Sequence, residues 1–243
     1  MQSARLRTYA FALFTAVPLT LAACVSGVNG SVDVPAGTSI SNAKTVNGSV
    51  HIGAKAKADA ASTVNGSIEL AEGAQVGDAT TVNGHVKLAK NASAKNISTV
   101  NGGVTLASGA TVSGNIKTVN GELALASGSE VKGSLTNVNK DITVDDAHVG
   151  DGITTVNADI DISGNAVVDG GITVKKPNSN GVFGIHFDSN HVPRITIGAG
   201  ATVNGPLDFE RPVKLYISDQ AHVAGPITGA QAVKYSGKTP PAS

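Results

Sequence analysis

The sequence predicts an all-β fold: a single-stranded parallel β-helix, or β-solenoid, with three faces and about 18 residues per coil. Three features of the chain point to it. The tetrad Thr-Val-Asn-Gly, or a close variant, recurs with its Asn at 29, 47, 65, 83, 101, 120, 139 and 157, at steps of 18 or 19 residues. Each coil divides into hexads of alternating apolar and polar residues, the period of a half-buried strand. No Phe, Tyr or Trp occurs from Val25 to Gly181, so the interior is built from Val, Ile, Leu and Ala. A narrow, repetitive tube has little room for aromatic rings.

Taken from the N-terminus, residues 1–23 read as a secretory signal. Arg5 and Arg7 form its positive end, and Tyr9 to Leu21 is an apolar run too short for a stable bilayer-spanning helix. It ends in Leu21-Ala22-Ala23-Cys24, and Cys24 is the chain's single cysteine. This resembles a bacterial lipobox, in which the cysteine sulfur carries the lipid. The resemblance makes Cys24 the lipidation site and the membrane a partner, at roughly 0.8 kcal/mol per buried methylene. Val25-Ser26, with no Asp behind the cysteine, implies sorting to the outer membrane of a diderm cell.

Residues 24–176 form the regular solenoid. One coil reads Val64-Asn-Gly-Ser-Ile-Glu, Leu70-Ala-Glu-Gly-Ala-Gln, Val76-Gly-Asp-Ala-Thr-Thr, and the next brings Val82, Leu88 and Ala94 to the same places. Val119, Val138, Val156 and Val174 read as one inward column. Leu123, Ile142 and Ile160 form a second, with Leu125, Val144 and Ile162 beside it. Val131, Val149 and Val168, then Leu135, Ile153 and Ile172, complete the core. A strand of about five residues cannot bury its face alone, so stacked coils pair like with like. On this reading Val119→Asp would bury an unpaired charge.

The Asn-Gly pairs read as turns that use the left-handed region. Asn47, Asn65, Asn83, Asn101, Asn120, Asn139 and Asn157 would stack into a structural amide ladder. Lys140 and Ala158 replace the Gly in the last two tetrads, and an extra residue after Val112 and after Val131 reads as a corner bulge. Beyond Lys176 the repeat breaks. Residues 177–193 are an irregular loop, 194–238 hold the terminal coils and cap, and 239–243 form a flexible tail. Phe209, Tyr216 and Tyr235, with Pro206, Pro212 and Pro226, suit a cap over the open end.

Gly109-Ala-Thr-Val-Ser-Gly-Asn-Ile, Gly128-Ser-Glu-Val-Lys-Gly-Ser-Leu and Asn165-Ala-Val-Val-Asp-Gly-Gly-Ile alternate with the tetrads. This pattern resembles bactofilins, the bacterial polymer-forming cytoskeletal β-helix proteins, and adhesin-like β-solenoid domains. The resemblance implies a triangular, right-handed helix and end-to-end self-association. The lipobox departs from it, because bactofilins are mostly cytosolic. The hexads also resemble left-handed β-helix acyltransferases, which need a catalytic His.

Chemistry is sparse. With 18 Lys+Arg against 18 Asp+Glu the formal charge is zero, which argues against nucleic acid as a partner. One Cys excludes a disulfide framework and a Cys-rich zinc site. His51 and His85 fall at outward places on different coils. His186, Asp188 and His191 lie close together in the loop, and their residue types allow a metal site, but a surface loop is the simpler reading. No catalytic constellation and no cofactor or metal site is read. Thr45, Thr63, Thr81, Thr99, Thr118 and Thr155 form a column before the Val, which would give a flat Thr-x-Asn face for glycan or ice; Thr is also a favourable strand residue. The expected function is a lipid-anchored cell-envelope structural or interaction protein, self-assembling and not an enzyme. A glycan- or ice-binding module and a hexapeptide-type acyltransferase are the alternatives.

Overall fold

The computed structural model describes residues 24–177, 191–237 and 239–241. Among these residues there is no helix, and every strand pairing is parallel, each strand lying on its counterpart one coil later. One sheet contains 11 strands, one per coil. At the parallel strand spacing of about 4.8 Å the stack is a rod of about 50 Å.

That sheet forms the first face. Its strands are short, as in Val50–Ile52, Ile68–Leu70 and Val86–Leu88, and run buried–outward–buried. Alternation places two aliphatic side chains of each coil inside. Leu123, Ile142 and Ile160 stack in register, as do Leu125, Val144 and Ile162. Each fully buried aliphatic side chain contributes about 1.5–3 kcal/mol relative to exposure.

The second sheet wraps the other two faces, and the corner between them changes along the rod. In the early coils one strand runs through it, as in Lys57–Asn65 and Gln75–Asn83. Inward Ala94 and Ile97 there are separated by two residues, Lys95 and Asn96. In the next coil three residues, Ser113 to Asn115, separate Val112 from Ile116, and the strand divides into Thr111–Val112 and Ile116–Lys117. The added residue lies where the spacing lengthens after Val112, and the later coils keep the wider corner. Val131, Val149 and Val168 stack on one side of it, and Leu135, Ile153 and Ile172 on the other.

At the Asn-Gly corner positive φ is confined to the residue after the Asn, as at Gly30 (φ 110°) and Lys140 (φ 81°). None of the eight tetrad Asn residues has positive φ. Positive φ recurs at the corner after the first face: Gly73 (φ 68°) is flanked one coil away by Lys55 (58°) and Asn91 (57°). The inward Ala that follows each of these, Ala56, Ala74 and Ala92, is fully buried. At the Asn-Gly corners after Gly30 the glycine is required by close approach. A Cβ on Gly84 would lie 1.9 Å from the carbonyl oxygen of Gly66, and one on Gly121 1.8 Å from that of Gly102. Lys140 fits there only by turning to φ 81°.

Among the described residues, the strand that ends at Val174 is followed by the one that begins at Arg194. Val174 pairs with Thr155 below and Phe209 above, so it does not belong to the column of Val119, Val138 and Val156. Phe209 is inside the main core rather than over the end of the tube, so the upper coils do admit one ring. Tyr216 faces outward on the first sheet with the Arg194 guanidinium 4.9 Å above its ring. In the last coil Ile227, stacked on buried Leu207, remains 38% exposed.

Candidate functional surfaces

The tetrad corner holds the residues singled out in the sequence, and the structure reorders them. The Thr column is not a face. Thr45, Thr63, Thr81, Thr99, Thr118 and Thr155 are all buried, at 4% exposure or less. Thr63 Oγ1 donates to the carbonyl of Gly48 at 2.8 Å, and Thr45, Thr81, Thr99 and Thr118 do the same to Gly30, Gly66, Gly84 and Gly102. Thr155 Oγ1 accepts from the Ala158 amide. An inward hydroxyl here satisfies a carbonyl that the tight Asn-Gly corner leaves without a ladder partner. Thr is therefore selected for the interior, and a glycan or ice lattice cannot reach it. Asn137 takes the Thr place once. Its Nδ2 donates to the carbonyls of Gly121 and Lys140, but its buried Oδ1 has no partner.

With Thr inside, alternation sends the following Val out. Val64 and Val82 are 39% and 38% exposed. Val119, Val138 and Val156 are buried, but in a separate cluster outside the main core, with Val100 at its edge. The column read as lumenal is an external ridge. Beside it Val100, Val119, Val138, Lys117 and Thr136 line a cleft of about 310 Å³.

The Asn column forms the expected amide ladder. Asn47 Nδ2 donates to Asn29 Oδ1 at 3.0 Å, and the pattern continues through Asn65, Asn83, Asn101, Asn120, Asn139 and Asn157 at 2.8–3.0 Å. Every amide points its Nδ2 toward the preceding coil. Bonds of this kind polarise one another along the chain. The ladder begins at Asn29, one coil earlier than the seven residues named from the sequence.

The outward side of the first sheet carries the charge. Asp33, His51, Glu69 and Lys87 lie in one column, with His51 Nδ1 3.5 Å from Glu69 Oε2. Further up, Asp141, Asp159, Asp161, Arg194 and Tyr235 line a groove of about 580 Å³. Burial raises the Asp161 pKa from its ordinary value, against the opposing pull of Arg194. Burial likewise raises Tyr235. Asp159 is engaged by the His191 ring at 2.7 Å and the Arg194 amide at 2.9 Å. On the neighbouring face His148 sits between Glu130 (3.6 Å) and Asp169 (2.7 Å). Hydrogen bonds from His148 and Asn204 lower the Asp169 pKa.

His85 Nδ1 accepts the Gly103 amide at 3.1 Å. His186 and Asp188 lie outside the described residues, as do residues 1–23. Among the described residues no group of three or more His, Cys, Asp or Glu is placed to hold a metal. No described helix is long and apolar enough to cross a membrane. Cys24 is exposed, and Cys24–Ser26 is the first described strand, paired with Asn42 to Lys44. Sequence reasoning missed Asp159 and Arg194 as partners because the loop separates them by 35 residues. No family model matches the chain, and neither a curated protein nor a solved structure does. The chain is a parallel β-solenoid repeat protein.

Proposed function

We propose that the protein is a lipid-anchored structural or interaction rod of the cell envelope, held in the outer membrane by lipid on Cys24. The observation that carries this reading is where the fold meets that residue. Cys24 is exposed and already hydrogen-bonded into a coil. A lipid on its sulfur would join the membrane to a stiff rod without an intervening linker. The rod offers a continuous solid surface, which suits a spacer or scaffold.

Self-association is part of the proposal. The final strand, Ala232–Tyr235, pairs with Lys214–Ser218 and has no further partner among the described residues. An unpaired parallel edge invites another chain. Loss of the Thr face leaves an envelope glycan to meet the exposed Asn amides and the outward Ser62, Thr80 and Ser98 instead. The test is whole-protein mass and membrane fractionation of wild type and Cys24→Ser, with light scattering of detergent-solubilised protein. A diacylglyceryl mass increment on Cys24, and release of Cys24→Ser from the membrane fraction, support the anchor. An unmodified wild-type cysteine rejects it. A strictly monomeric species at high concentration rejects self-association.

A further inference from the structure

The asparagine ladder meets an obstacle in the coil above Asn157. Register places Lys176 above Asn157, and Arg211 above Lys176, because Thr155, Val174 and Phe209 are stacked partners. Lys176 is exposed, and its backbone amide donates to Glu210 Oε2 at 3.1 Å. The ladder therefore lacks its rung in that coil. Arg211, two coils above Asn157, reaches across the gap. Its Nη1 donates to the Val156 carbonyl at 3.0 Å and to Asn157 Oδ1. Its Nη2 donates to the His191 carbonyl at 2.7 Å.

The polarity of the ladder gives this contact its meaning. Every Nδ2 points toward the N-terminal coils, so Asn157 Oδ1 is the last acceptor of the series. A guanidinium offers only donors, and several of them in a fixed plane. It matches an oxygen at that end and would oppose an amide turned the other way. We infer that Arg211 is a conformational lock. It caps the acceptor end of the ladder, fixes the direction of its amides, and holds His191 in register with the coil below the loop. Asp159 secures the same junction from the first sheet, through the Arg194 amide and the His191 ring. Together the two residues carry the stack across a break in its sequence repeat.

The test is Arg211→Met, which keeps the stem and removes the donors, studied in the full chain by hydrogen exchange with NMR detection. Exchange of the Asn157 and Asn139 side-chain amides and of the Arg194 backbone amide should rise about tenfold or more, while Asn47 and Asn65 stay within about twofold. Unchanged Asn157 and Arg194 exchange overturns the inference. The backbone amides of Ile142 and Ile160 report whether the surrounding coils remain folded. If Arg211→Met unfolds them, Arg211→Lys carries the test. Its single ammonium can hold Asn157 Oδ1 but not the His191 carbonyl as well, so Asn157 should stay protected while Arg194 is exposed. Equal protection of both, or equal loss, contradicts a lock built on two separate grips.

Discussion

The Thr-Val-Asn-Gly corner is built in two versions along one rod. In the coils of Val64 and Val82, strands run unbroken through the neighbouring corner, the Val is exposed, and Gly66 and Gly84 let adjacent backbones touch. In the coils of Val138 and Val156, the strands are divided, the Val is buried, and Lys140 and Ala158 stand where Gly was. The amide ladder passes through both versions. The repeat thus conserves its hydrogen-bond columns and varies what covers them. Identical motifs do not imply identical environments.

The largest difference between the versions concerns the glycine. Gly84→Ala forces a Cβ onto the Gly66 carbonyl and should cost about 3 kcal/mol or more, read as a shift in the urea midpoint. An unchanged midpoint means the backbones can separate. The next contrast uses the valine column. Val119→Asp should cost roughly 3 kcal/mol, because it places a carboxylate in a buried aliphatic cluster, whereas Val64→Asp should stay within about 0.5 kcal/mol. Equal costs would erase the distinction between ridge and cluster.

A smaller effect should run in the stabilising direction. Asn137→Thr combined with Lys140→Gly removes the partnerless Oδ1 and the left-handed lysine, and restores the earlier version of the corner. A gain of about 1 kcal/mol is expected. Destabilisation would show that the later coils need their own chemistry. The smallest effect is electrostatic. Asp169 has a lowered folded pKa, so its contribution is present above the unfolded carboxylate value and lost as pH falls through the folded one. The side chain is 45% exposed, and solvent screening limits its contribution to about 0.5 kcal/mol. Between about pH 5 and pH 2, Asp169→Asn should lose slightly less stability than wild type. Parallel pH profiles contradict this.

The coil length, the parallel stacking, the core columns from Leu123 to Ile172 and the Asn ladder were legible in the sequence, because each follows from a fixed period. The Thr–Val pair was not. A period-two pattern fixes alternation but not which member faces in, and apolar Val looked the better core residue. The deciding factor is a carbonyl from the coil below, 15 residues earlier for Thr63 and Thr81, which an inward side-chain donor satisfies and Val cannot. The Asn-Gly turn was legible only in part, since Gly30 has positive φ but Gly66 and Gly84 are set by close approach. Gly has two uses, and composition does not separate left-handed φ from close approach. Arg211 was out of reach because the sequence repeat is interrupted after Lys176, which hides its place above Asn157.

The inward Thr and outward Val can be separated by one measurement. In a Cys24→Ser background, Thr81→Cys and Val82→Cys would be labelled with a thiol reagent under native conditions. Thr81 is 1% exposed and Val82 38%. A cysteine at 82 should react at close to the rate of a free thiol, and one at 81 about a hundredfold more slowly. The reverse order, or equal rates, would contradict the register on which the whole corner rests.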